Sequence, residues 1–250
     1  MVELSNFTSF FVANWKLNGS FQFISQYLES LNKEKFTKKC VVLCPPSPYL
    51  NYVKDLSKHS FIGAQDCSCF EEGAYTGEIS TKILSDIGIN FCIVGHSERR
   101  KYFKESNEAV KDKTLKLIEN RIIPIICIGE TLEEKNSNRT NEILNKQINE
   151  SVPESANEHN SIIAYEPVWA IGTGKTPTLN EIEDSHKFIR KINKKFLNFK
   201  ILYGGSVNIK NSKQISDIKN VDGALIGGAS LKIEEFIKII INSSWFNFSY

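Results

Sequence analysis

The chain alternates between two hydrophobic patterns. Short, nearly continuous apolar runs recur eight times: FFVANWK (10–16), CVVLCPP (40–46), SFIGAQD (60–66), FCIVGHS (91–97), IIPIICIGE (122–130), SIIAYEPVW (161–169), FKILYGGSV (199–207) and VDGALIGGAS (221–230). Such runs predict strands covered on both faces, as in parallel sheets. Between them, apolar residues fall three and four apart: Phe21, Ile24, Tyr27, Leu28 and Leu31, then Ile83, Leu84 and Ile87, and more loosely Val110, Leu115, Leu117 and Ile118. Ile143, Leu144 and Ile148 follow, then Ile182, Phe188, Ile189 and Ile192, and last Phe236, Ile237, Ile240 and Ile241. That spacing predicts amphipathic helices. The polar stretch 136–160 carries one stripe and reads as helix plus turn. Strand and helix therefore alternate along the chain, which predicts an α/β protein with a parallel sheet and right-handed crossovers.

Eight such units in 250 residues predict a single (β/α)8 barrel spanning 1–250. The rival, a doubly wound open sheet, would carry G-x-G-x-x-G after its first strand, and FFVANWKLNG lacks it. Lys and Arg total 31 against 29 Asp and Glu, a net charge of +2, without the basic stripe that nucleic acid requires. No run approaches the ~18 apolar residues of a membrane span, and the N-terminal stretch lacks a signal-peptide pattern. A cytoplasmic protein with no nucleic-acid or membrane partner is expected. Of the six cysteines, Cys40, Cys92 and Cys127 lie in apolar runs, as buried thiols do. Cys67 and Cys69 are the one close pair, and their spacing does not suit a metal site.

Barrels of this kind place their chemistry at the C-terminal ends of the strands. Asn14 and Lys16 end the first run, His96 and Glu98 the fourth, Glu130 the fifth, Glu166 the sixth, Ser206 the seventh, and Gly227 and Gly228 the eighth. Glycine-bearing loops after strands seven and eight allow close backbone approach to an anion; the alternative is a pair of ordinary turns. Glu166 stands between Tyr165 and Pro167-Val168-Trp169, and desolvation there is expected to raise its carboxyl above about 4.3 and strengthen it as a base. His96 and Lys16 taken singly also read as a structural histidine and a surface lysine. Together, a base, a hydrogen-bond donor, a cation and an anion cradle fit proton abstraction beside the carbonyl of a small phosphorylated substrate.

Seven segments, NWK (14–16), GAYTGE (73–78), GHSERR (95–100), CIGE (127–130), AYEPVWAIGTGK (164–175), YGGSV (203–207) and IGGASL (226–231), occur in the order and on the strands that make the chain resemble the triosephosphate isomerase family, from about Phe10 to Ile241. The resemblance implies Glu166 as the base, neutral His96 as donor to the substrate carbonyl, Lys16 as the stabilising cation and Asn14 as its neighbour in substrate binding. It implies phosphate contacts from Gly172, Ser206, Gly227 and Gly228, a lid over 167–177, and no cofactor or metal. It also implies a buried Glu98 that positions Lys16 and His96; an ion pair of Glu98 with Arg99 or Arg100 is the alternative. Ser97 and Cys127 would be supporting packing. Loop 67–78, with Thr76, would enter a second subunit of a homodimer. Four features depart from the family pattern: Pro177 in the second hinge, two cysteines that could be modified if exposed in loop 67–78, a shortened segment between Phe188 and Tyr203, and an extra aromatic tail over 243–250 whose place, barrel floor or external contact, is open.

Overall fold

The computed structural model describes residues 2–171 and 175–243. Eight strands form a closed barrel in sequence order: β1 (Ser9–Asn14), β2 (Lys39–Cys44), β3 (Phe61–Ala64), β4 (Phe91–Val94), β5 (Ile123–Ile128), β6 (Ile162–Tyr165), β7 (Lys200–Tyr203) and β8 (Gly223–Ile226). Every neighbouring pair is parallel. The ring closes where Phe10 to Ala13 of β1 meet Gly223 to Ile226 of β8. All eight predicted runs contain strands; β3 to β8 end just before a polar or glycine residue, whereas β1 includes Asn14 and β2 stops before Pro45.

Strand alternation sorts the apolar residues into two cores. Phe10, Val12, Cys40, Val42, Ile93, Ile125, Cys127 and Ala164 fill the barrel. Phe11, Ala13, Val41, Leu43, Ile126 and Ile163 face the surrounding helices. Both faces are dry, which is why the runs are continuous. Leu4 closes the floor, and Phe7 stands edge-on to Phe10 and Phe61 at 6.0 and 5.7 Å.

The helices among the described residues are α1 (Phe21–Leu31), α2 (Leu50–Leu56), α3 (Thr81–Asp86), α4 (Ser97–Tyr102), α5 (Asn107–Glu119), α6 (Leu132–Asn136), α7 (Thr140–Ser151), α8 (Leu179–Ile192), α9 (Ser212–Ser216) and α10 (Ile233–Asn242). Six carry the predicted stripes. Ser20, Ser80, Ser106, Thr131 and Thr178 cap the starts of α1, α3, α5, α6 and α8 by accepting a backbone N–H, and Thr131 and Thr178 complete capping boxes with Glu134 and Glu181. Helices α2, α4, α6 and α9, of five to seven residues, have no predicted stripe.

Three stripe members are outside the core. Phe21, Ile83 and Ile241 are exposed, and Ile239 is buried in place of Ile241. Phe21 instead packs edge-on against Tyr49 and Tyr52. Cys67 is buried and Cys69 is half-buried, its thiol donating to the Ala109 carbonyl at 3.6 Å. Burial pushes the Cys69 thiol up, so neither cysteine is the exposed, reactive group considered from the sequence. Pro177 is buried immediately before the Thr178 cap, where a fixed φ suits entry into α8. The stretch after Phe188 is a tight link, with a 3-10 turn (Lys194–Phe196) joining α8 to β7. Tail residues 244–250 lie outside the described residues.

Candidate active site

The strand ends bring the predicted groups together. Asn14, Lys16, His96 and Glu166 line a cavity of about 360 Å³ together with Gly204 to Asn208, Gly227 and Gly228. Ser206 is among these lining residues. Gly172 lies outside the described residues. Thr76 is elsewhere, exposed in loop 67–78.

Lys16 reaches the cavity through an unusual backbone. Its φ is +52°, a left-handed conformation that costs a non-glycine residue on the order of 1 kcal/mol or more. The surroundings hold it there. The Lys16 N–H donates to Asn14 Oδ1 at 3.0 Å. Gln65 Nε2 donates to the carbonyls of Lys16 and Cys44, both at 2.8 Å. The ammonium is paired with Glu98 Oε1 at 2.6 Å. Glu98 keeps 42 % of its side chain exposed, so it is not the buried carboxylate that was expected. It does contact both Lys16 and His96, the latter at 3.6 Å. Arg99 and Arg100 are engaged elsewhere, Arg99 with Asp66 and Glu105 and Arg100 with Asn107 and the carbonyls of Gly95 and Cys127.

His96 caps α4. Its Nδ1 accepts the Glu98 N–H at 3.2 Å, which requires an unprotonated Nδ1 and leaves the proton on Nε2. Nε2 meets Glu166 Oε1 at 3.0 Å, and the other oxygen, Oε2, accepts the Ser97 N–H at 2.9 Å. Ser97 is therefore more than packing: its backbone orients the carboxylate. Glu166 is 2 % exposed. Burial pushes its carboxyl up, but His96, the Ser97 N–H and Lys16 together outweigh burial and hold it below the ordinary value. The raised carboxyl expected from the strand-end setting is thus reversed by partners from β4 and its loop. Burial pushes His96 down, and the Glu166 and Glu98 carboxylates outweigh it and pull it up. Cys127 lies at the back of the site, fully buried, with its thiol pushed up by burial first and by Glu166 second.

Two glycines make this packing possible. A Cβ on Gly204 would stand 2.7 Å from Glu166 Cγ, and one on Gly227 would stand 3.3 Å from Lys16 Cε. Neither leaves room for a side chain without displacing a candidate catalytic group.

Two further residues carry no mark in the sequence, and a third does more than a strand-end position implies. Gln65 ties β2 and β3 to Lys16. Lys232 adds a second cation to the cavity beside Gly228; a lysine at a helix start carries no distinguishing pattern. Glu130, named only as a strand end, organises the start of the 167–177 segment. Its Oε1 accepts from Trp169 Nε1 at 2.8 Å and Tyr165 OH at 3.2 Å, and Lys135 Nζ lies 3.4 Å over the Trp169 ring while pairing with Glu181 at 2.6 Å.

Among the described residues no three His, Cys, Asp or Glu side chains are grouped to hold a metal ion, and no helix is long and apolar enough to cross a membrane. The family profile described as "Triosephosphate isomerase" matches residues 9–243. Relatives of that name include one from Hahella chejuensis (strain KCTC 2396), 43 % identical over 235 residues, covering 91 % of this chain and 95 % of the relative. One from Mesomycoplasma hyorhinis is 42 % identical over 237 residues, 92 % and 96 % of the two chains. One from Buchnera aphidicola subsp. Cinara cedri (strain Cc) is 44 % identical over 243 residues, again 92 % and 96 %. The closed eight-stranded barrel, the seven ordered segments and these matches agree: the chain belongs to the triosephosphate isomerase family.

Proposed function

We propose that the chain interconverts dihydroxyacetone phosphate and D-glyceraldehyde 3-phosphate, the isomerase step shared by glycolysis and gluconeogenesis, with Glu166 as base, His96 as hydrogen-bond donor and Lys16 as cation. The observation that carries this reading is the meeting of Glu166, His96 Nε2 and Lys16 in one cavity that two glycine loops also line. The phosphate takes the wall of Ser206, Gly227 and Gly228, with Lys232 beside it and Gly172 as a further donor from the lid segment. The carbonyl end then faces His96, Lys16 and Asn14.

Substrate must displace Glu166 from Nε2. His96 then loses the larger of the two carboxylate influences that raise it; Glu98 still pulls it up, while burial and Lys16 push it down. Its Nδ1 still accepts the Glu98 N–H. A neutral imidazole results, with Nε2–H donating to the carbonyl oxygen. Glu166, released from His96, feels burial as its largest influence and becomes the stronger base. It takes a proton from the carbon beside the carbonyl. The electrons move to the oxygen, where His96 and Lys16 stabilise the charge. A proton passes between the two enediol oxygens, and Glu166 returns its own to the neighbouring carbon. Side chains account for every step, so the proposed reaction uses no metal or cofactor. Glu98 positions Lys16 and His96, and closure of 167–177 excludes water from the enediol. Conversion of glyceraldehyde 3-phosphate by the purified chain, followed through coupled reduction of dihydroxyacetone phosphate, tests the reading. Rapid turnover is expected; a folded chain without turnover would overturn it.

The assembly proposed is a homodimer through loop 67–78. Leu17 is 95 % exposed beside the site, and Tyr102 and Phe103 are also exposed. Phe70 and Tyr75, stacked at 3.8 Å, stiffen the loop. These residues follow β1, β3 and β4 at one end of the barrel, and large exposed apolar groups of this kind favour an interface. Thr76→Arg is expected to halve the mass measured by light scattering; an unchanged mass would remove the loop from the interface. The compartment proposed is the cytoplasm, consistent with six unpaired thiols.

A further inference from the structure

We propose that Gln147, on the outer helix α7, is a positioning residue for Glu166, an inference that rests on reading Glu166 as the base. Regular pairing of β5 with β6 ends at Ile128 and Tyr165. Beyond it the two chains stay zipped: the Glu166 N–H donates to the Ile128 carbonyl at 2.7 Å and the Val168 N–H to the Glu130 carbonyl at 3.0 Å. Residues 128 and 130 therefore face β6, and the peptide groups of Gly129 face away from it.

On that side β5 has lost its other neighbour, since β4 pairing stops at Val94 and Ile126. Gln147 takes the place of the missing strand. Its Oε1 accepts the Gly129 N–H at 2.7 Å, and its Nε2 donates to the Gly129 carbonyl at 3.1 Å. A primary amide, with one acceptor and one donor head, fits this pair of backbone groups; a carboxylate or a hydrocarbon does not.

Gly129 in turn abuts the base. A Cβ there would lie 1.7 Å from the Glu166 backbone carbonyl oxygen. The Glu166 main chain thus rests directly on a peptide whose position is set by Gln147. The neighbouring Glu130 side chain holds Trp169 at the start of the lid segment. Releasing the amide clasp frees the surface on which the base is seated, and a misplacement of about 1 Å can cost on the order of 100-fold in rate.

The test compares kcat and KM for the unaltered chain, Gln147→Met, Glu166→Asp and the double variant, with thermal midpoints as a control for folding. Gln147→Met is expected to lower kcat by roughly 10- to 100-fold with KM within about twofold. Its effect should shrink in the Glu166→Asp background, where the base is already withdrawn. An unchanged kcat, a rise in KM alone, or full multiplication of the two single effects would overturn the proposal, whatever the change in midpoint. If Gln147→Met does not fold, Gln147→Glu carries the same comparison, because it keeps the acceptor for the Gly129 N–H and the side-chain volume. Full activity in Glu166→Asp alone would overturn the base reading; loss there with full activity in Gln147→Met would overturn only the positioning role.

Discussion

Glu166→Asp is expected to lower kcat by about 100- to 1,000-fold while KM changes by no more than a few-fold. The shorter side chain withdraws the carboxylate by roughly one carbon–carbon bond, about 1.5 Å, from a reacting carbon that must be met closely. The main chain should not move. It is held by the Ile128 carbonyl on one side and by the Gly204 N–H, which donates to the Tyr165 carbonyl at 2.7 Å, on the other. Binding should survive because the phosphate wall comes from the loops after β7 and β8, which the substitution does not touch. Steady-state kinetics at a fixed pH, with circular dichroism to establish the fold, checks both expectations. Unchanged turnover would remove Glu166 from the role of base.

The second large effect concerns stability in acid. His186 on α8 is fully buried, with Nδ1 bonded to the Asn220 carbonyl at 3.2 Å and Nε2 without a partner. Burial first, and Arg190 second, lower its pKa from 6.5 to about 3. The folded value is below the unfolded one, so between them the unfolded chain binds the extra proton. Stability from this group is complete above pH 6.5 and declines as pH falls through the window from 6.5 to about 3. At about 1.4 kcal/mol per pH unit the full loss is on the order of 4–5 kcal/mol per chain, a large part of the 5–15 kcal/mol typical of a domain. His186→Asn keeps a donor near the Nδ1 position and removes the titration. Urea midpoints at pH 7.5 and 4.5, at one protein concentration, should fall much less for this variant than for the unaltered chain. Equal falls would assign the acid sensitivity to other groups.

The sequence by itself determined the architecture. Eight dry apolar runs and six stripes at helical spacing suffice for a parallel barrel, because hydrophobic periodicity records how many faces of each element are covered. It also placed Asn14, His96, Glu166, Ser206, Gly227 and Gly228 at strand ends, since strand polarity sends every C-terminal end to the same mouth. The tertiary structure alone decided what those groups are next to. Periodicity marks the buried side of an element but not whether another element covers it, so Phe21, Ile83 and Ile241 fit a stripe and remain exposed. The direction of the Glu166 pKa depends on His96 and Ser97, seventy and sixty-nine residues away in the chain. The left-handed backbone of Lys16 depends on Gln65 from another strand end, and the seat of Glu166 on an amide from an outer helix. Electrostatics and hydrogen bonding act over a few ångströms of space, and only the closed barrel brings those residues within that range.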